Sequence, residues 1–233
     1  MDTRIEFPYI AETVALPENF LIVSTELLDS INCIEIGAIL FDLPHRTIIT
    51  QVTFLLPRTS NIDGSTNINN LILNGKIGLL CLSSLVENAD LIISHDVTFH
   101  RQQFRIKPLP VINKPWLCTK KDIRWPIEKK LQPNYTIYDL ALAYHVPVWS
   151  TNRALFECLY LSQVFERCPE LEALIQNGLE PRQNYRAQIS KTDESDLAKA
   201  AGFTWNPIES VWCRRLSAKE VIALPFPVEP IPD

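Results

Sequence analysis

Three apolar runs follow one another early in the chain, and they constrain the fold more than anything else in it. Residues 20–24 (Phe-Leu-Ile-Val-Ser), 33–42 (Cys-Ile-Glu-Ile-Gly-Ala-Ile-Leu-Phe-Asp) and 47–56 are short and rich in branched side chains, as buried strands are. Pro44-His45-Arg46 supplies a turn between the last two. Strands this close in sequence pair as an antiparallel meander, because a parallel crossover needs a dozen or more connecting residues. The pattern then changes. Residues 57–74, rich in Asn and Ser, read as a loop, 76–89 as a helix with an apolar stripe, and 90–95 as a fourth buried strand. A short helix to about Arg105 follows, then helices over 136–144 and 150–167, and Pro169 opens another to about Asn177. The expected class is α/β, a mixed sheet flanked by helices.

Near Pro181-Arg182-Gln183 the pattern resets to a small α+β module: strand 184–190, helix 193–201, strands near 203–205 and 210–215. Asp193 suits the helix N-cap and Gly202 its C-terminal stop. The expected division is a domain over 1–180, a module over 184–224, and a proline-spaced extended tail over 225–233.

Composition excludes several classes. Of 233 residues, 46% are hydrophobic and 21% charged, which is globular rather than disordered. With only 6 glycines there is neither a G-x-G-x-x-G nor a Walker A loop. The cysteines Cys33, Cys81, Cys118, Cys158, Cys168 and Cys213 show no C-x-x-C zinc spacing and read as reduced thiols. No apolar run reaches the roughly 20 residues of a spanning helix, and the first residues lack a signal-peptide core, so the expectation is a cytoplasmic protein without membrane contact.

The net charge of −5 argues against a protein that coats nucleic acid by bulk charge. The average hides a division. Residues 101–130 carry nine basic side chains against Asp122 and Glu128, a local net of +7, while the rest holds 13 basic and 25 acidic residues, a net of −12. Arg101, Arg105, Lys120, Lys121 and Arg124 are the candidate phosphate contacts, with Trp116 and Trp125 interleaved as candidate stacking platforms. The plainer alternative is a solvated face whose tryptophans pack into the core.

Three segments resemble the DEDDh 3′-5′ exonucleases. Phe20-Leu-Ile-Val-Ser24-Thr-Glu26 with Ile34-Glu-Ile-Gly37-Ala is similar to that family's Asp-x-Glu strand and the strand after it. Ser94-His95-Asp96-Val-Thr-Phe99-His100 is similar to its His-Asn-x-x-Phe-Asp, and Asn152-Arg-Ala154-Leu-Phe-Glu157 to its His-x-Ala-x-x-Asp. The resemblance covers about residues 18–178 and implies a ribonuclease H-like fold. In that family two divalent metals held by carboxylates activate water for phosphodiester cleavage, with His as general base.

This chain departs from the motif at nearly every chemical position. Ser24 and His100 stand where carboxylates belong, Asn152 stands at the general base, and Glu157 is one methylene longer than the family's Asp; Glu26 is kept. The resemblance therefore implies a catalytically degenerate protein with no expected cofactor, Mg²⁺ or Mn²⁺ entering only if residual nuclease activity exists. The first functional reading is a nucleic-acid-associated binding or regulatory module for single-stranded DNA or RNA. The alternatives are an adaptor for a protein partner in replication, repair or regulation, and an atypical metal-dependent exonuclease using Glu26 and Glu157 with His95, Asp96, His100 or Asp29. In the C-terminal module, Lys199-x-x-Gly202-x-x-Trp205-Asn-Pro207 and Trp212 resemble a small module found beside such domains. Trp205 and Trp212 are either its minimal core or a base-stacking pair, with Arg214 and Arg215 placed for phosphate.

Overall fold

The structure, a computed structural model, describes residues 15–28, 33–57, 67–132, 134–189 and 195–232. Asp29 and Asp193 lie outside them. The chain forms two compact units, one ending at Leu179 and the other beginning at Glu180.

The first unit is built on the meander. Strands β1 (Asn19–Leu28), β2 (Cys33–Asp42) and β3 (Thr47–Pro57) pair antiparallel. Strand β4 (Leu91–Ser94) joins β1 in parallel, and β5 (Trp116–Cys118) joins β4 in parallel, giving the order β3-β2-β1-β4-β5. This is the mixed sheet that the ribonuclease H-like expectation requires. Helices cover both faces. On one side α3 (Ile137–Ala143), α4 (Ala154–Arg167) and α5 (Leu171–Leu179) close a core around Phe20, Ile22, Phe41, Ile93 and Phe165. On the other, α1 (Asn67–Glu87) and α2 (Val97–Gln103) cover Leu21, Val23, Ile36 and Phe54. The alternation along β1 sends Phe20, Ile22, Ser24 and Glu26 toward the α4 face and Leu21, Val23 and Thr25 toward the other.

Two elements differ from the sequence reading. Helix α1 starts at Asn67 and takes in part of the Asn-rich stretch read as loop, because the crossover from β3 to β4 lies against β3, with Gly75 and Gly78 fitted over Leu56 and Phe54. Strand β5, only three residues long, carries no period from which it could be read.

The second unit is an antiparallel sheet in the order β7-β8-β6-β9, made by β6 (Arg182–Ala187), β7 (Thr204–Asn206), β8 (Val211–Ser217) and β9 (Val228–Pro230). Helices α6 (Ser195–Ala200) and α7 (Ala218–Ile222) accompany it. Gly202 ends α6 with φ 73°, and its N–H reaches Lys199 O. Ala198, Phe203 and Leu216 form the buried core. The proline-spaced end is extended as expected, but it does not stand apart: β9 pairs with β6, and Phe226 packs on Phe203 at 5.4 Å.

The first unit turns on one close approach. Gly37, opposite Ser24 in the β1–β2 register, lies under the first turn of α4; a Cβ there would sit 2.7 Å from Ala154 O and closer still to Leu155 N. Gly37→Ala should therefore force α4 off the sheet and destabilise the unit by about 2 kcal/mol, read as a lowered denaturant midpoint with an unchanged slope.

Candidate functional site

The antiparallel register places Glu26 directly opposite Glu35, so two carboxylates share one face of the β1–β2 pair. Like charges in that relation destabilise a sheet unless something compensates. Glu35 is 2% exposed, and its compensation comes from α4. Arg153 grips it with Nε and a terminal nitrogen at 2.8–3.0 Å, and the Ala154 N–H donates to its other oxygen at 3.0 Å. Glu35 thereby caps a helix whose own N-cap residue, Arg153, offers no side-chain cap.

One turn further along α4, Glu157 enters the same space. Ser24 Oγ donates to one of its oxygens at 2.6 Å and Tyr138 Oη to the other at 3.0 Å. Burial pushes the Tyr138 hydroxyl up to about 12, so it stays a donor throughout the neutral range. Glu26 completes the group. Burial first, then the charge of Glu157, a hydrogen bond to Glu157 and the charge of Glu35 push its carboxyl up to about 7. Three carboxylates converge, and they are balanced by one guanidinium, two hydroxyl donors and a proton.

Two histidines line the same pocket but take hydrogen-bond partners other than the acids. His100 is buried, and its Nδ1 accepts the Thr25 N–H at 3.1 Å. In the neutral ring this leaves the proton on Nε2. Burial holds its pKa near 4. His95 sits between Thr119 Oγ1 (2.9 Å from Nδ1) and the Tyr135 carbonyl (3.4 Å from Nε2), and burial likewise holds it near 4. Asp96 is the N-cap of α2 and accepts the Phe99 N–H at 3.2 Å. Asn152 is exposed, with φ 55°; its backbone N–H donates to Tyr138 Oη at 2.8 Å. The space enclosed by Ser24, His95, His100 and Glu157 over Cys158 is about 10 Å³, the room of one water.

The two-metal centre implied by the resemblance can be tested against these donors, and they do not fit it. Both oxygens of Glu157 receive hydroxyl protons, Glu26 carries a proton near neutrality, and His100 is oriented by Thr25. Among the described residues no group of three His, Cys, Asp or Glu side chains is arranged to hold a metal ion.

Sequence reading thus found Ser24, Glu26 and Glu157, which the fold brings together, and missed Glu35, Tyr138 and Arg153. The signal for Glu35 was present in the Glu-Ile-Gly run, but only the register shows that it opposes Glu26.

The basic segment has a different character. Ion pairs of the first unit include His45–Asp42, Arg46–Glu172 and Arg153–Glu35, all outside 101–130. Within the segment Arg101, Arg105, Lys107, Lys120, Lys121 and Lys130 form no ion pair with a described residue. Lys121 Nζ reaches Thr98 Oγ1 at 3.1 Å, joining the turn after β5 to the first turn of α2, and the charge of Lys120 is felt at His95. Arg124 donates to the Lys121 carbonyl at 2.7 Å, and Lys129 lies 3.9 Å over the Tyr144 ring. The tryptophans do not present stacking faces as a pair. Trp116 packs on Phe104, and Trp125 packs on Tyr144 while donating to Thr119 O at 2.9 Å. In the second unit Trp205 and Trp212 meet edge to face at 5.5 Å, with Trp205 43% exposed, while Arg214 is bonded to the Ala201 carbonyl.

Comparison with known proteins adds little that bears on activity. A family described as a domain of unknown function, DUF8626, matches residues 183–231, within the second unit. No curated protein sequence matches. Among solved structures, a 3′-exonuclease described in work on 3′-end specific recognition of histone mRNA stem-loop is 12% identical, with a TM-score of 0.47, over 94% of this chain and 99% of its own. A likeness at that level transfers no function. No helix among the described residues is long and apolar enough to cross a membrane.

The acid cluster makes a pH prediction. The Glu26 carboxyl titrates near 7 when folded and near 4.5 when unfolded, so the folded state binds the extra proton. Its stabilising contribution is full below pH 4.5 and is lost as pH rises through about 7. His95 and His100, held near 4, act in the opposite sense; their contribution is full above about pH 6.5 and fades only as pH falls. Between pH 6.5 and 8 Glu26 therefore dominates. Calorimetric scans should show the melting temperature falling across that window, and Glu26→Gln should flatten the fall.

Proposed function

We propose that this protein is a catalytically degenerate, exonuclease-like module that binds single-stranded nucleic acid. The observation that carries the reading is the set of cations Arg101, Arg105, Lys120 and Lys121, none of them ion-paired with a described residue, in a unit whose acid cluster is balanced by the chain's own groups. Cations without acid partners are available to phosphate, and the counterions released on binding supply the affinity. The remainder of the chain carries a net charge of −12, so the attraction is local to this segment rather than a property of the whole chain. With Trp116 and Trp125 committed to packing, backbone phosphate rather than base stacking dominates the contact. Hydrolysis is not part of the proposal, since the site offers neither a general base at Asn152 nor a ligand set for two metals.

The test is anisotropy with labelled single-stranded DNA and RNA in rising salt. About four phosphate contacts predict a slope of log K against log salt near −3, with no cleavage in Mg²⁺ or Mn²⁺. Lys120→Glu with Lys121→Glu should weaken binding at least about tenfold, whereas Arg186→Glu, in the ion pair with Glu229, should leave it unchanged. No binding at low salt would contradict the nucleic-acid assignment and favour the adaptor reading.

A further inference from the structure

Helix α1 has two apolar sides, and the fold uses only one. Gly75, Gly78, Leu82 and Leu85 turn toward the sheet. On the opposite side Leu73, Ile77 and Leu80 are 55%, 52% and 74% exposed. At 100° per residue these three and Ser84 fall within about 60° of one another, a straight seam with the alternating four- and three-residue steps of helix–helix packing. The residues around the seam are small or neutral: Asn74, Cys81 and Ser84. The helix carries two charges, Lys76 and Glu87, both exposed and neither ion-paired with a described residue.

The positions of those two charges choose the occupant. They lie on the same flank of the seam, about three turns apart. When two copies of α1 pack seam to seam about a dyad perpendicular to the helix axes, the helices run antiparallel and each flank meets its own kind with the order reversed. Lys76 of each copy then approaches Glu87 of the other, twice over. The dyad passes near Leu80 and Cys81, so Leu80 packs across it and Ile77 reaches the small Ser84 of the other copy. Parallel pairing offers no such match.

We propose that the outward face of α1 is a self-association surface on which two copies of this protein pair antiparallel. The seam is narrow, at the low end of specific interfaces, so the dimer is reversible and concentration-dependent. All of the residues involved are exposed, and none belongs to the acid cluster or to the cations of α2.

Sedimentation equilibrium of the full chain should show a monomer–dimer equilibrium in the micromolar range or above. Leu80→Glu should weaken it at least about tenfold while circular dichroism stays unchanged. Lys76→Glu alone should weaken it, and Lys76→Glu combined with Glu87→Lys should restore it. Cys81, the one exposed cysteine of the six, reports the geometry: a short bismaleimide should trap a covalent dimer of the native chain but not of Cys81→Ser. A chain that stays monomeric at every attainable concentration, or a double charge swap that fails to restore association, would overturn the proposal.

Discussion

Three carboxylates, Glu26, Glu35 and Glu157, meet where β1 and β2 pass under the start of α4, and groups from the surrounding elements hold them together. Charges this close in a partly dry site repel strongly. The repulsion is answered by Arg153 on Glu35, by the hydroxyls of Ser24 and Tyr138 on Glu157, and by a proton held on Glu26. These groups come from β1, α3 and the start of α4, so with Glu35 on β2 the cluster ties β1, β2, α3 and α4 together. Gly37 makes the arrangement possible by letting α4 approach the sheet.

This arrangement gives a physical account of how neighbouring acids can be balanced by the chain's own groups. In the family that the motifs resemble, divalent cations balance the acids. Here Ser24 brings no charge of its own and aims a donor at Glu157. The histidine at the second-motif position turns its acceptor nitrogen to the backbone of Thr25 and becomes part of the core. Positive charge is carried meanwhile by Arg101 of α2 and by Lys120 and Lys121 after β5, none of which is ion-paired with a described residue.

The sheet was legible in the sequence because its strands are local: residues 33–42 and 47–56 read almost to their observed ends, and the turn between them is short. The site was legible only as far as motif spacing reaches. Ser24, Glu26 and Glu157 stood out, whereas the importance of Glu35 depends on a cross-strand register, and that of Tyr138 on how α3 packs against α4. Trp125 looked like a stacking platform because its partner Tyr144 lies nineteen residues on in sequence but 5.5 Å away in space. The proline-spaced end looked like a tail because a three-residue edge strand between prolines has no sequence pattern of its own, and its pairing with β6 is a long-range event.

The central claim is that protons, hydroxyls and one guanidinium do here what divalent metals do in the resembling family. Calorimetric titration of Mn²⁺ into the native protein and into a variant carrying Ser24→Asp, His100→Asp and Asn152→His tests it most directly. The account predicts no saturable heat for the native chain up to millimolar Mn²⁺ and measurable binding in the variant. Stoichiometric micromolar binding by the native chain, lost on Glu157→Gln, would contradict it.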